Sequence, residues 1–484
     1  MTGLFTADEV RAAEAPLLAA GPEGALMQRA ATGLATVCLR LLGRAHGTRV
    51  TALVGGGNNG GDALYAGAYL AGRGVRVTAV LLDPDRTHAA GLAALRRAGG
   101  RVTGPQGPTG LERADLVLDG IVGLGARGGL RPVAARLVAQ AAAGPGLMVA
   151  VDLPSGVDPD TGAVEGEAFP AQHTVTFGAV KPGLVVGAGR EHAGRVHLVD
   201  IGLGGTLPAP RTVRLTDDDV AARLDPPTDV DDKYSRGVVG IVAGSSTYPG
   251  AAVLCTGAAL RTRPGLVRYA GTAAAGVRAA WPEAIVTEGR PSDAGRVQSW
   301  VAGPGMGTDD AAAQVVAEVL ATDLPVLLDA GALTVVARRP ELVRDRQAPT
   351  VLTPHDREYE RFGEQVGADR IGAARRLAAD LGAVVLLKGA ATVVAGPDGQ
   401  AFVNGTGTPW LATAGTGDVL AGIAGALLAT GRPAAEAAAV AAHVHGRAGQ
   451  LAAEGGPLIA GDLVRRLPGT LARLRRGRDA GLGD

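Results

Sequence analysis

Arg49 to Val54 alternates like a strand and runs straight into Gly55-Gly56-Gly57-Asn58-Asn59-Gly60-Gly61-Asp62, after which a helix of small residues begins. A strand that delivers a glycine-rich loop onto a helix N-terminus is the opening of a βαβ unit, and a βαβ series restricts the fold to an open parallel sheet with helices packed on it. The pattern recurs along the first half. Val75 to Leu82 predicts a strand, Ala89 to Ala98 a helix, and Leu116-Val117-Leu118-Asp119-Gly120 and Met148-Val149-Ala150-Val151-Asp152 two more apolar strands, each ending in an acid. Acids at strand ends in such a series fall at the carboxyl edge of the sheet, where these folds bind ligands. Upstream, Thr6-Ala7-Asp8-Glu9 has capping-box spacing and Leu26 to Leu42 is an amphipathic run. Strand signals at His173 to Phe177 and Val196 to Ile201 close this half.

A change of texture follows. Leu207-Pro208-Ala209-Pro210 leads into an acidic, proline-bearing stretch with Asp217, Asp218, Asp219, Pro226 and Pro227, which places a domain boundary near residue 210 and divides 1–210 from 211–484. A second α/β series then starts: strand Val238 to Val242, loop Gly244 to Gly250, helix Ala251 to Arg261. Strands are expected at Leu266 to Tyr269, Ser299 to Ala302, Pro325 to Asp329, Thr350 to Leu352 and Val384 to Leu387. A hairpin is expected around Pro397-Asp398-Gly399. Ala414-Gly415-Thr416-Gly417-Asp418 precedes the apolar run Val419 to Leu428. Glycines at 415 and 417 let backbone N–H groups approach an anion, and the helix start adds its positive end. Asp418 is either a cap for that helix or a general base, or Mg²⁺ partner, for a hydroxyl facing a bound phosphate.

Composition narrows the partner. Lys+Arg and Asp+Glu are equal at 47 each, so no global field selects nucleic acid or an anionic membrane, and a small molecule is expected. With neither a signal-like N-terminus nor a long charge-free apolar run, the expectation is a cytoplasmic protein. Cys38 and Cys255 read as two buried reduced thiols, and His443 and His445 as ordinary helix residues. Lysine occurs only at Lys181, Lys233 and Lys388, and asparagine only at Asn58, Asn59 and Asn404. In a chain this rich in Arg, that scarcity marks places where a point ammonium or a neutral amide is wanted.

The first glycine loop also satisfies the dinucleotide fingerprint, with Asp83 near the position of a ribose-binding acid. Asp62 argues against a dehydrogenase, because it occupies the turn that should hold a pyrophosphate. Gly57-Asn58-Asn59-Gly60-Gly61-Asp62, Val151-Asp152-Leu153-Pro154-Ser155-Gly156 and Lys181-Pro182-Gly183 together resemble the NAD(P)H-hydrate epimerase family over residues 1 to about 205. The resemblance implies a Rossmann-like three-layer domain that interconverts the R and S epimers of hydrated NADH or NADPH (NADHX, NADPHX). It also implies that Asn58, Asn59, Gly60, Gly61 and Asp62, with Gly123, Leu124, Gly125, Ala126, Arg127, Gly128 and Gly129, hold the substrate. Asn59, Asp119 and Ser155 would offer oxygens to K⁺, and Asp152 would be the acid/base at the reacting carbon. Ala63 departs from the family's glycine.

In the second half, Lys233 to Gly237, Gly303-Pro304-Gly305-Met306-Gly307, Asp329-Ala330-Gly331, Thr353-Pro354-His355, Leu387-Lys388-Gly389 and Ala414 to Asp418 resemble, in order, the ADP-dependent NAD(P)H-hydrate dehydratases, over about 225 to 475. This implies a ribokinase-like α/β domain in which Asp418 activates the C6 hydroxyl of the S epimer for phosphorylation by ADP, with Mg²⁺ expected. Ala252, Gly305 and His355 would face the hydrate beside Asp418. Lys388, Gly389, Ala390, Ala391, Thr392 and Gly417 would touch ADP, and Asn404 would line the cleft. Lys388 also admits reading as a solvated strand-end charge, and Asp152 as an acid capping a Pro-Ser-Gly turn. The sequence departs from that family at Gly331, where a second acid is usual, and at Asp356-Arg357. Fusion of the two halves is the arrangement of bifunctional NAD(P)H-hydrate repair enzymes. Small-residue helices permit close packing between subunits, and a homo-oligomer is expected. The alternative is a ribokinase-like small-molecule kinase carrying a non-catalytic N-terminal module for nucleotide binding or oligomerisation.

Overall fold

The computed structural model describes residues 1–480 apart from Ala126, Asp225, Pro264 and Gly455, with backbone alone for 478–480. The chain forms two compact units, one of Gly3–Arg211 and one of Met1–Thr2 with the residues from Thr212 onward. Among the described residues no helix is long and apolar enough to cross a membrane.

The first unit is a seven-stranded sheet in which every pairing is parallel. Its strands stand in the order Arg101–Thr103, Arg76–Leu81, Arg49–Val54, Leu116–Gly120, Leu147–Val151, His173–Phe177 and Arg195–Val199. Side-chain alternation sorts the strands' residues between two faces. Val50, Ala52, Val54, Leu116, Leu118, Val149 and Val151 pack with the helices Ala25–Leu42 and Asn58–Gly72, while Leu53, Val117, Met148 and Ala150 pack with the helix Pro132–Ala142 on the other face. Three layers result, as the βαβ spacing predicts. The last strand stops at Val199, short of the expected Ile201, because the Asp200 carboxylate takes the Gly202 N–H at 2.7 Å and turns the chain. The order reverses between Arg49–Val54 and Leu116–Gly120, so the crevice at the strand ends opens between the Gly55 loop and the 120–123 turn.

The second unit centres on a mixed sheet. Strands Ile285–Thr287, Leu266–Ala270, Val238–Val242, Ser299–Ala302, Val326–Leu328, Thr350–Leu352 and Val384–Leu387 are successive parallel neighbours. The antiparallel hairpin Thr392–Ala395 and Ala401–Asn404 extends the edge, and Thr212–Arg214 pairs parallel with its outer strand. Helices Pro249–Thr262, Thr416–Leu428, Ala434–Ala452 and Ala460–Ala480 share one core with the sheet. The Thr416–Leu428 helix lies unusually close to its neighbours. A Cβ at Gly422 would come within 2.2 Å of the Cys255 carbonyl, and one at Gly425 within 2.1 Å of Val301 Cγ2. This fixes the helix start, and with it the Gly415–Asp418 loop, against the strand ends. Both cysteines are free and buried as expected, and burial pushes the Cys38 thiol up to about 12.

Candidate functional site

Each unit gathers its chemical groups at the carboxyl ends of its parallel strands. In the first unit Asp152 follows the strand Leu147–Val151 with φ +66°, a left-handed conformation that non-glycine residues rarely adopt. Its carboxylate does not cap the following turn. Oδ1 accepts from the Lys181 ammonium at 2.5 Å, the Thr176 hydroxyl at 3.1 Å and the Phe177 N–H at 3.2 Å. Lys181 is 1% exposed and also donates to the Phe177 carbonyl and the Thr176 hydroxyl. Asp152 is thus a buried, oriented carboxylate with one ammonium clamped on it.

Around this pair stand two further acids. Asp62 is buried in the first turn of the helix Asn58–Gly72, and its Oδ1 has no hydrogen-bond partner among the described residues. Burial first, then the charges of Asp152 and Glu14, push its carboxyl well above the usual carboxylate range, against the pull of Lys181. Glu14, from the helix Ala7–Ala20, is raised by burial against the pull of Lys181.

Asp119 and Ser155 are joined directly: Oδ2 accepts the Ser155 N–H and Oδ1 the Ser155 hydroxyl, both at 2.7 Å. Asp119 is completely buried, pairs with no basic side chain among the described residues, and is pushed by burial up to about 6. The Asn59 amide reaches the same turn, for a Cβ on Gly123 would lie 3.0 Å from its Oδ1, and its Nδ2 is buried without a partner. A buried carboxylate lacking a counter-ion, next to a hydroxyl and an amide, fits a monovalent cation. Asn58, Gly125, Arg127, Gly128 and Gly129 lie exposed along the rim, Gly123 and Leu124 half-buried, and Gly60 and Gly61 buried; Ala126 lies outside the described residues. The Ala63 departure is accommodated. Its methyl sits where residue 120 is glycine, and a Cβ there would approach it to 2.5 Å.

In the second unit Lys388 ends the strand Val384–Leu387. Its ammonium bonds Asp329 Oδ1 at 2.7 Å and lies 3.4 Å from Glu358 Oε2, so it is not a solvated strand-end charge. The two acids raise its pKa despite burial, which acts first and in the opposite direction. Thr353 donates to the same Asp329 oxygen at 2.8 Å. Gly417 lies over this pair, a Cβ there falling 3.8 Å from Lys388 Nζ and 3.9 Å from Asp329 Oδ2. Gly415, at φ +88°, caps the helix Thr416–Leu428 without any side-chain bond, so Asp418 is not its cap. Asp418 stands in the first turn, and burial, then Asp329, push its carboxyl up to about 6, against the pull of Lys388.

The loop's position is locked from behind. The Thr416 hydroxyl donates to the Leu411 carbonyl at 2.8 Å, and His445 Nε2 lies 2.9 Å from the Thr416 carbonyl. A carbonyl only accepts, so this ring nitrogen carries the proton. Burial lowers His445 to about 4 and keeps it neutral. The other sequence-derived residues divide. Gly305, at φ +65°, and buried Ala252 lie where the 244 and 303 loops meet back to back through the Gly244 N–H and the Pro304 carbonyl. His355 caps Asp356–Tyr359 through Nδ1 with its side chain about half exposed. Gly389 and Ala390 are exposed and Ala391 is buried, while Thr392 donates to the Gly389 carbonyl. Asn404 does not offer its amide to a cleft: Nδ2 donates to the Ala442 carbonyl, and Oδ1 accepts from the Thr406 N–H and hydroxyl. Its scarcity signal marks a clasp from the end of the strand Ala401–Asn404 to the helix Ala434–Ala452. Gly331 has no room for an acid, since a Cβ would stand 2.7 Å from the carbonyls of Met306 and Gly307. Asp356 pairs with Arg370, whose guanidinium also holds the Lys388 carbonyl.

Sequence reasoning singled out Lys181 without giving it a role in the site, and missed Glu14, Glu358 and His445 as members of these clusters. The lysine-scarcity signal holds at Lys181 and Lys388, which are both paired with aspartates.

Among known proteins, the family described as NAD(P)H-hydrate dehydratase matches residues 239–467, and the YjeF-related protein N-terminus family matches residues 23–183. Proteins named bifunctional NAD(P)H-hydrate repair enzyme Nnr are similar over almost the whole chain. The Mycobacterium tuberculosis protein is 54% identical over 91% of this chain and 92% of its own, and that of Mycobacterium leprae 52% identical over 94% and 96%. Among solved structures, a ribokinase-like superfamily protein from Enterococcus faecalis superposes with a TM-score of 0.51 at 26% identity, covering 55% of this chain and 98% of that one.

Proposed function

The chain belongs to the bifunctional NAD(P)H-hydrate repair enzyme family, and we propose that its two units, 1–210 and 211–484 in sequence terms, each carry one of the two reactions. The enzyme epimerises R and S NAD(P)HX and dehydrates the S epimer with ADP to NAD(P)H, AMP and phosphate.

In the first unit Asp152 is the acid/base at C6 of the hydrated nicotinamide, oriented by Lys181, Thr176 and the Phe177 N–H. Asn58 to Asp62 and the 123–129 rim hold the substrate. Asn59, Asp119 and Ser155 hold K⁺, which when bound supplies the counter-charge that Asp119 lacks. In the second unit the single observation that carries the reading is Asp418, raised to about 6 beside the Asp329–Lys388 pair at the mouth of a glycine-capped helix. A carboxylate with that affinity for a proton is matched to removing one from the C6 hydroxyl at neutral pH. The N–H groups of Gly415 to Gly417 face the phosphoryl group during transfer; the C6–O bond to phosphate then breaks as the N1 lone pair forms N1=C6, and loss of a C5 proton to solvent returns those electrons to N1 and restores the C5=C6 double bond. Lys388, Gly389 to Thr392 and Gly417 bind ADP, with Mg²⁺ accompanying the nucleotide; Ala252, Gly305 and His355 bound the hydrate. We place the enzyme in the cytoplasm as a homo-oligomer.

The test supplies purified S-NADHX with ADP and Mg²⁺ and measures NADH, AMP and phosphate. Equal yields of the three support the reading. Accumulation of a stable phosphorylated alcohol, or turnover only of another alcohol with ATP, replaces it with the small-molecule kinase.

A further inference from the structure

The first site holds more acid than the reaction assigned to it uses. Asp152, Asp62 and Glu14 come from three separate elements, and the Lys181 ammonium is the cation common to them, bonded to Asp152 alone. Asp62 is the odd member. It is about nine-tenths buried in the first helical turn after the Asn58-Asn59-Gly60-Gly61 loop, and its Oδ1 meets no donor among the described residues. Gly61, the residue before it, is backed by His88, whose ring would lie 3.0 Å from a Cβ there and whose Nδ1 is spent on the Gly91 N–H. A buried carboxyl oxygen with no partner is expensive unless the group is protonated or a ligand supplies the missing contact. Two carboxyl groups in one site, one clamped to an ammonium and one left without, are the arrangement that divides base from acid.

We propose that Asp62 is the proton donor of the epimerase site, in protonated form bonding the C6 hydroxyl of the hydrated nicotinamide, with Asp152 as the partner base. The proposal rests on the epimerase reading of this unit. The nitrogen lone pair of N1 forms the N1=C6 double bond as the C6–O bond breaks, and the departing hydroxyl takes the Asp62 proton and leaves as water. A water then adds to C6 from the opposite face, its oxygen forming the new bond while Asp152 takes its proton and the N1=C6 electrons return to nitrogen. One proton passes from Asp152 back to Asp62 through solvent, so the cycle is an isomerisation without net change in protons or electrons. The reverse direction uses the same two groups.

The test compares Asp62→Asn with the wild-type full chain on purified R-NADHX, following both epimers by chromatography without ADP. The amide keeps the shape and the hydrogen-bonding capacity but donates no proton to a leaving group. The expected result is a fall in kcat of at least 100-fold with KM within about threefold, unchanged dehydration of S-NADHX by the same preparation, and recovery of Asp62→Ala by formate that tracks its undissociated fraction. In the wild type, Asp152, Glu14 and Lys181 all face Asp62, and the alkaline limb of kcat lies above the ordinary carboxylate range. Asp62→Asn turning over within threefold of the wild type, or losing activity through KM alone, overturns the proposal and leaves Asp62 a binding residue. A wild type that does not interconvert the epimers overturns instead the epimerase reading beneath it.

Discussion

Replacing Lys181 by Met keeps the length of the side chain and removes its charge from the most buried ion pair in the first unit. The ammonium is 1% exposed and makes three bonds, to Asp152 at 2.5 Å and to Thr176 and Phe177 at 3.1 Å each. Removing one partner of such a pair leaves an uncompensated buried charge, which costs about 3–5 kcal/mol. An exposed pair provides the scale: Arg344 and Asp380 are about half exposed, and breaking their 2.7 Å contact costs about 0.2–1 kcal/mol. The loss in Lys181→Met is therefore several times that in Arg344→Met. Trp281, Trp300 and Trp410 all lie in the second unit, so tryptophan fluorescence does not report on the first. Hydrogen exchange of the strands Leu147–Val151 and His173–Phe177 under native conditions does. A loss below about 1 kcal/mol at pH 7.5 shows that the Lys181–Asp152 pair is not the buried, uncompensated contact its geometry indicates.

Asp418 has a folded-state value above its unfolded one, so its protonated form favours folding below pH 3.8 and that contribution is lost as pH rises through about 6. Asp418→Asn therefore unfolds at higher urea than the wild type at pH 7.5, by up to about 3 kcal/mol, while dehydration is abolished. In the wild type kcat for dehydration falls below about pH 6. His445 shifts the other way: its folded value of about 4 lies below the unfolded 6.5, so stability falls as pH drops through that window. His445→Gln, followed by urea titration, flattens the fall. Gly331→Asp, which adds a second acid two residues after Asp329, forces a side chain against the Met306 and Gly307 carbonyls and destabilises by about 1–3 kcal/mol. Its dehydration rate at limiting Mg²⁺ does not rise.

Much of this architecture is readable from residues that have one physical use. Alternating apolar strands followed by glycine loops require a parallel sheet, and both three-dimensional sites lie where those loops fall. The hairpin at Pro397-Asp398-Gly399 and the capping box at Thr6 appear as expected, because they depend on local backbone chemistry alone. What the sequence hides is pairing across distance. Nothing within a few residues of Asp152 indicates that Lys181 closes on it, or that Glu14 from the first helix shares its field. Asn404 shows the limit of a scarcity argument, since its amide serves a clasp to the helix Ala434–Ala452. His445 has no partner on its own helical wheel because it bonds the Thr416 carbonyl in the preceding helix. The Ala63 and Gly331 departures become interpretable only once Gly120 and the 306–307 carbonyls are seen beside them.

In the proposed function, two separate sites act in series on one damaged cofactor. The most direct measurement gives the purified chain a mixture of R- and S-NADHX with ADP, K⁺ and Mg²⁺, and follows NADH absorbance with chromatography of both epimers. Two-site repair gives complete conversion by the wild type, conversion of the S fraction alone by Asp152→Ala, and no NADH from Asp418→Ala although the epimers still interconvert. Asp152→Ala consuming both epimers at the wild-type rate, or a wild type consuming neither, contradicts it.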